Sequence, residues 1–109
     1  MKISMAAADS IGIRITAHAD DEEIGHLYVY ILSNDIHAKP FAFIEDVYVD
    51  PLYRGKGIAQ RLVTDAIGEA RKHGCYKLIL TSRFEKEKVH ELYTKLDFKR
   101  HGYEFRMNL

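Results

Sequence analysis

Apolar and other residues alternate along Ile11-Gly12-Ile13-Arg14-Ile15-Thr16-Ala17, and a period of two reads as a strand. A second strand is expected over Ile24 to Leu32, where Leu27-Tyr28-Val29-Tyr30-Ile31 is rich in β-branched and aromatic residues. Asp20-Asp21-Glu22-Glu23 between them reads as a solvated hairpin tip, and Ser33-Asn34-Asp35 turns the chain again. Phe41 to Val49 is a third strand, closed by Asp50-Pro51. The period then changes. Ile58, Ala59, Leu62, Val63, Ala66, Ile67 and Ala70 recur at three- and four-residue spacing, which predicts an amphipathic helix from about Lys56 to His73, ended by Gly74. Tyr76 to Thr81 reads as a strand, and strand–helix–strand at this spacing implies two parallel strands. Glu85 to Leu96 is a second helix with Val89, Leu92, Tyr93 and Leu96 on one stripe, and Lys99 to Leu109 a last strand carrying Tyr103 and Phe105. The order β-β-β-α-β-α-β describes an α/β (α+β) chain with antiparallel early strands and a later parallel pair.

With 109 residues there is room for one domain over residues 1–109, built on one core. A formal net charge of zero gives no electrostatic case for nucleic acid or an anionic membrane. No apolar run approaches the ~20 residues of a membrane span, and Met1 to Ser10 lacks an apolar signal core, so a cytoplasmic location is expected. Cys75 is the only cysteine, which agrees with a reducing compartment. It lies in no nucleophile motif and reads as a small buried hydrophobe. The six histidines have no metal-ligand spacing, so no metal site is expected.

The chemistry is concentrated in Arg54-Gly55-Lys56-Gly57-Ile58-Ala59, between the third strand and the long helix. The first turn of a helix has four N–H groups without intrahelical partners, and the macrodipole adds partial positive charge there. Glycines let the backbone approach an anion, and Arg54 and Lys56 add formal charge. A strand, a Gly-rich basic turn and a helix N-terminus therefore predict a phosphorylated cofactor. A P-loop, G-x-x-x-x-G-K-[ST], does not occur. A Rossmann fingerprint fails because Gln60 stands where its third small residue belongs, and Tyr76 to Thr81 has no acidic residue for a ribose. The pattern that fits is [QR]-x-x-G-x-[GA], read as Arg54-x-x-Gly57-x-Ala59.

That pattern resembles the acetyl-CoA pyrophosphate loop of the GNAT acetyltransferases, and the element order resembles their core, so the resemblance covers nearly the whole chain. The resemblance implies a mixed central sheet with a parallel strand pair around the cofactor helix. It also implies that pantetheine pairs with the backbone of Val47-Tyr48-Val49, with an N–H near Val47 polarising the thioester carbonyl. The pyrophosphate would rest on the N–H groups of Gly55, Lys56, Gly57, Ile58 and Ala59, next to the Arg54 and Lys56 side chains. Val89-His90-Glu91-Leu92-Tyr93-Thr94-Lys95-Leu96-Asp97-Phe98 resembles a second family motif, A-x-x-[LF]-Y-x-K-x-G-F. It puts Tyr93 at the place of the tyrosine that protonates the departing thiolate. Lys86, Val89 and Asp97 depart from the usual residues, and Asp97 is expected to close the helix in the left-handed conformation. Ile44-Glu45-Asp46-Val47-Tyr48-Val49 resembles a stretch of the spermidine/spermine and thialysine acetyltransferases, in which the glutamate deprotonates the amine; Glu45 holds that position. Regular alternation would put Glu45 in a row with Phe43, Val47 and Val49, and turn Asp46 to the other face.

The implied function is acetyl-CoA-dependent N-acetyl transfer by direct attack of a primary amine, with Tyr93 as acid and Glu45 as candidate base. The two helices that wall the acceptor site in most such enzymes are expected to be reduced or absent, since about ten residues precede the first clear strand. The cleft is therefore expected to be open, or completed by a partner subunit in a homodimer. An open cleft admits a peptide amine as well as a small-molecule amine. A non-catalytic acyl-CoA-binding or regulatory module is the alternative from another class.

Overall fold

The computed structural model describes residues 1–109. Strands β1 (Ser10–Ala19), β2 (Glu22–Leu32) and β3 (Phe41–Val49) form an antiparallel meander, and β4 (Leu78–Leu80) adds in parallel to β3. Sheet order is β1-β2-β3-β4. A 3₁₀ turn (Pro51–Tyr53) and helix α1 (Ile58–Lys72) connect β3 to β4, and α2 (Glu87–Lys95) follows.

The first hairpin is tighter than the acidic run suggested. Only Asp20 and Asp21 turn, with φ of 50° and 67°, as a two-residue turn with both residues left-handed. Glu22 and Glu23 belong to β2. Arg14 faces Tyr28 across the ladder and its Nε donates to the Tyr28 hydroxyl at 3.1 Å, while its Nη2 reaches along the sheet to donate to the Glu23 carboxylate at 2.9 Å. The guanidinium holds the Glu23 carboxyl below the usual carboxylate range.

The core forms where alternation on the sheet meets the helical stripe. Leu27, Val29 and Ile31 of β2 and Ala42, Ile44 and Val49 of β3 pack against Leu62, Val63, Ala66 and Ala70 of α1. Both helices end in the same way. Gly74 at φ 72° and Asp97 at φ 71° follow their C-caps, and Cys75 N–H donates to Ala70 C=O (3.0 Å) as Phe98 N–H does to Tyr93 C=O (2.9 Å). These are Schellman closures, and each folds an apolar residue back onto its helix. Asp97 therefore does what the sequence expected of it.

The last expected element is not a strand: Lys99–Leu109 has no regular structure. Its alternation of apolar and polar residues is real, but a strand needs a neighbour to receive its backbone groups, and none of its backbone groups bonds to the chain. The strand expected over Tyr76–Thr81 shrinks to Leu78–Leu80, the three residues that pair in register with β3.

Gly68 lies mid-helix on the exposed side of α1, where an added Cβ would meet nothing within 4 Å. Gly68→Ala is expected to stabilise the fold by about 0.5–1 kcal/mol, a rise in Tm of a few degrees in a thermal melt.

Candidate active site

β3 and β4 pair only at Ala42–Leu78, Phe43–Ile79 and Ile44–Leu80. Beyond Ile44 the β3 edge on that side has no strand beside it. Backbone groups over Glu45–Val49 that point this way are left for another partner.

The opposite edge of β3 pairs with β2, but the register slips. Tyr28 lies across from Glu45 and His26 from Tyr48, so Asp46 and Val47 together oppose Leu27. Asp46 is the cause of this bulge, at φ 54°. The bulge corrects the expected alternation. Ile44 and Val49 are both buried although five residues apart, and Val47 packs onto the core between them. Glu45 is exposed and shares no apolar row with Val47 and Val49. Its side-chain hydrogen bond is to the Asp46 N–H, at 3.3 Å. The signal for the bulge was present in the sequence: aspartate is depleted from strands and tolerates the left-handed region better than most residues.

The turn after β3 is pinned at both ends. Asp50 N–H donates to Ile24 C=O (2.7 Å), and the Asp50 carboxylate accepts from Leu52 N–H (2.9 Å), capping the 3₁₀ turn that Pro51 begins. Asp-Pro at this point is a capping signature that the motif reading passed over. Arg54 Nε donates to Val49 C=O at 2.9 Å, tying the turn to the strand and leaving its terminal nitrogens as free donors. Its guanidinium lies over the Tyr48 ring (5.8 Å), and Lys56 Nζ over Tyr53 (5.2 Å).

Gly55 and Gly57 are both left-handed, at φ 79° and 81°, with open space where a side chain would stand. Gly57 is the N-cap of α1, so no side chain caps this helix, and its first turn holds no acid. The first intrahelical bond is Arg61 N–H to Gly57 C=O (3.1 Å), so the N–H groups of Ile58, Ala59 and Gln60 lack intrahelical partners. Neither Arg54 nor Lys56 forms an ion pair. Uncompensated cations, a free helix N-terminus and two glycines suit a pyrophosphate.

Tyr93 of α2 and Leu96, the residue that ends it, pack onto the same core cluster as Val47, Tyr53, Ile58 and Ala59. The Schellman closure brings Phe98 edge-on to the Tyr93 ring, with centroids 5.9 Å apart. Burial pushes the Tyr93 phenol above its usual value, and does the same to the Cys75 thiol. Both groups are therefore protonated at neutral pH, and Cys75 is a poor nucleophile. A group that titrates higher in the folded state supports folding below its unfolded pKa and loses that support as pH rises. Stability is therefore expected to fall above about pH 9–10. Urea melts at alkaline pH should show a shallower loss for Tyr93→Phe than for the parent chain, and Cys75→Ala should delay its onset.

A mixed sheet with a β3 edge left free beyond Ile44, leading into the uncapped N-terminus of α1, defines an α/β protein whose sheet and helix meet at a glycine-rich basic turn. The Acetyltransferase (GNAT) family profile matches residues 5–98, and the chain belongs to that family. It is 46% identical over 66 residues to glucosamine 6-phosphate N-acetyltransferase of Trypanosoma brucei brucei, covering 61% of this chain and 43% of that protein. It is 27% identical over 101 residues to aminoglycoside N(6')-acetyltransferase type 1 of Stenotrophomonas maltophilia, covering 89% of this chain and 66% of that one. Among solved structures, a Trypanosoma brucei acetyltransferase superposes with a TM-score of 0.80 at 32% identity, over 94% of this chain and 70% of that one. The chain spans less than two thirds of the length of the curated relatives it matches. No helix is long and apolar enough to cross a membrane.

Proposed function

We propose that this chain binds acetyl-CoA and catalyses acetyl transfer to the primary amine of a small polar molecule. The observation that carries this reading is the free β3 edge leading into the uncapped N-terminus of α1 beside two unpaired cations. When bound, acetyl-CoA supplies the acetyl thioester. The backbone from Gly55 to Ala59 holds its phosphates, with Arg54 and Lys56 adding charge. The backbone of Val47, Tyr48 and Val49 aligns the pantetheine arm, and an N–H near Val47 donates to the oxygen that gains negative charge. Tyr93 keeps its proton at neutral pH and gives it to the leaving sulfur. Glu45, exposed beside the bulge, accepts a proton from the attacking amine.

Relatives named for glucosamine 6-phosphate and aminoglycosides point to an amino sugar as the acceptor. A lone Cys75 held as a thiol suits a reducing, cytoplasmic setting, and the working form in this reading is a homodimer. Calorimetric titration with acetyl-CoA, followed by thiol-release assays with glucosamine 6-phosphate, an aminoglycoside, spermidine and a lysine peptide, tests the reading. Micromolar binding with turnover on a small amine is the expected result. Binding without turnover on any acceptor would make the chain a cofactor-binding module, and no binding would remove the reading.

A further inference from the structure

Helix α1 packs on one face of the sheet only. Leu27, Val29 and Ile31 of β2 are buried beneath it, and the reverse face is open, with Tyr30 and Tyr48 37% and 42% exposed. Residues directly opposite each other in an antiparallel ladder share a face. Register therefore puts Gly12 beside Tyr30, Arg14 beside Tyr28, Glu45 beside Tyr28 and Phe43 beside Tyr30, all on this open side.

Tyr28 and Tyr30 are more than scattered surface aromatics. Their rings are nearly parallel, 9° apart with centroids at 6.3 Å. Each ring is also seated from β1. Gly12 leaves the room that Tyr30 uses, since an added Cβ would come within 3.2 Å of that ring. Arg14 lies over the Tyr28 ring at 5.7 Å and donates to its hydroxyl at 3.1 Å, and the Glu23 carboxylate holds the same guanidinium. A pair of open rings held in place is a pre-formed platform, with little side-chain freedom left to lose on binding.

The chemistry of this platform selects its occupant. Aromatic faces pack against CH groups, and phenol hydroxyls at their rim donate and accept. That combination matches a pyranose ring, which has an apolar CH face and a hydroxyl edge. A second cation over Tyr28 is disfavoured, because the Arg14 guanidinium already lies on that ring. The carboxylate opposite Tyr28 belongs to Glu45, which forms no ion pair in the chain. An ammonium group drawn to Glu45 brings its own sugar ring over Tyr28. Tyr30 is one step further from the bulge and is left for a second ring.

We propose that Tyr28 and Tyr30 are consecutive sugar-stacking subsites, and that the acceptor is an amino sugar of at least two rings. Its amine lies at Glu45, the amine-bearing ring on Tyr28 and the next ring on Tyr30 beside Phe43. This rests on the acetyl-transfer reading and makes the two tyrosines its specificity determinants; neither takes part in the chemistry.

Thiol-release kinetics with glucosamine, the disaccharide of glucosamine (chitosan dimer) and spermidine test the proposal, with acetyl-CoA binding measured for each variant. In the parent chain KM for the disaccharide should lie about 10-fold below that for glucosamine. Tyr30→Ala should raise the disaccharide's KM about 10-fold, to the level of glucosamine, while acetyl-CoA binding and the spermidine KM stay put. Tyr28→Ala should raise KM for both sugars. Tyr30→Phe keeps the ring and should keep the preference for the disaccharide, whereas a folding defect would show as lost acetyl-CoA binding. Three results would overturn the proposal and leave acetyl transfer standing: equal KM for the two sugars in the parent chain, a disaccharide KM that Tyr30→Ala does not move, or a spermidine KM that rises in step with it. No turnover on any of the three acceptors would remove the acetyl-transfer reading, and the proposal with it.

Discussion

Gly57→Glu is expected to weaken acetyl-CoA binding about 100-fold or more in calorimetric titration, with little change in thermal stability. Two effects add. The N-cap position sits at φ 81°, a left-handed conformation that costs a residue with a side chain roughly 1–2 kcal/mol. The new carboxylate also enters the open space above the free N–H groups of Ile58, Ala59 and Gln60, where the phosphates are proposed to rest. An anion already there satisfies the same donors and repels a second one. Stability changes little because a carboxylate at a helix N-terminus is itself favourable, and that gain offsets the backbone strain. Gly57→Ala separates the two effects: it keeps the strain without the charge, and a loss of about 10-fold is expected. If Gly57→Glu binds as tightly as the parent chain, the turn is a helix start and nothing more.

Tyr93→Phe is expected to lower kcat by about 10²–10⁴-fold, the usual worth of a positioned acid, while leaving acetyl-CoA binding intact. The ring contributes packing, and Phe preserves it: the edge-on contact with Phe98 and the seat on the core do not involve the hydroxyl. That hydroxyl forms no hydrogen bond within the chain, so its removal strands no buried partner. The parent chain should also show kcat declining at alkaline pH as the raised phenol finally ionises, a limb that Phe lacks. Steady-state kinetics across pH, with binding measured alongside, checks both parts. An unchanged kcat would leave Tyr93 as a packing residue only.

The strands and helices were legible because each has one buried face, and burial imposes a period. The stripe on α1 is the clearest case: Leu62, Val63, Ala66 and Ala70 are its buried residues, with Ile58, Ala59 and Ile67 at the margin. The Arg54–Ala59 turn was legible for a different reason. Left-handed backbone and close approach to an anion both demand glycine, and glycine is visible in sequence. Glu45 was misplaced because alternation assumes an unbroken ladder, and a single left-handed Asp46 reverses the facing of every residue after it. Lys99–Leu109 was misread because pattern reports which face a strand would bury, and says nothing about whether a partner strand is there.

The chain's own residues thus determined the local structure and the glycine-lined, uncapped N-terminus of α1. Those properties depend on neighbours close in sequence: a period, a glycine, a helix terminus. Tertiary structure alone decided where β3 and β4 part company, which edge of β3 is free, and that the core stays open along β4 and α2. These depend on pairing between residues far apart in sequence, whose register is set by a bulge and whose length is set by how much of each strand meets the other.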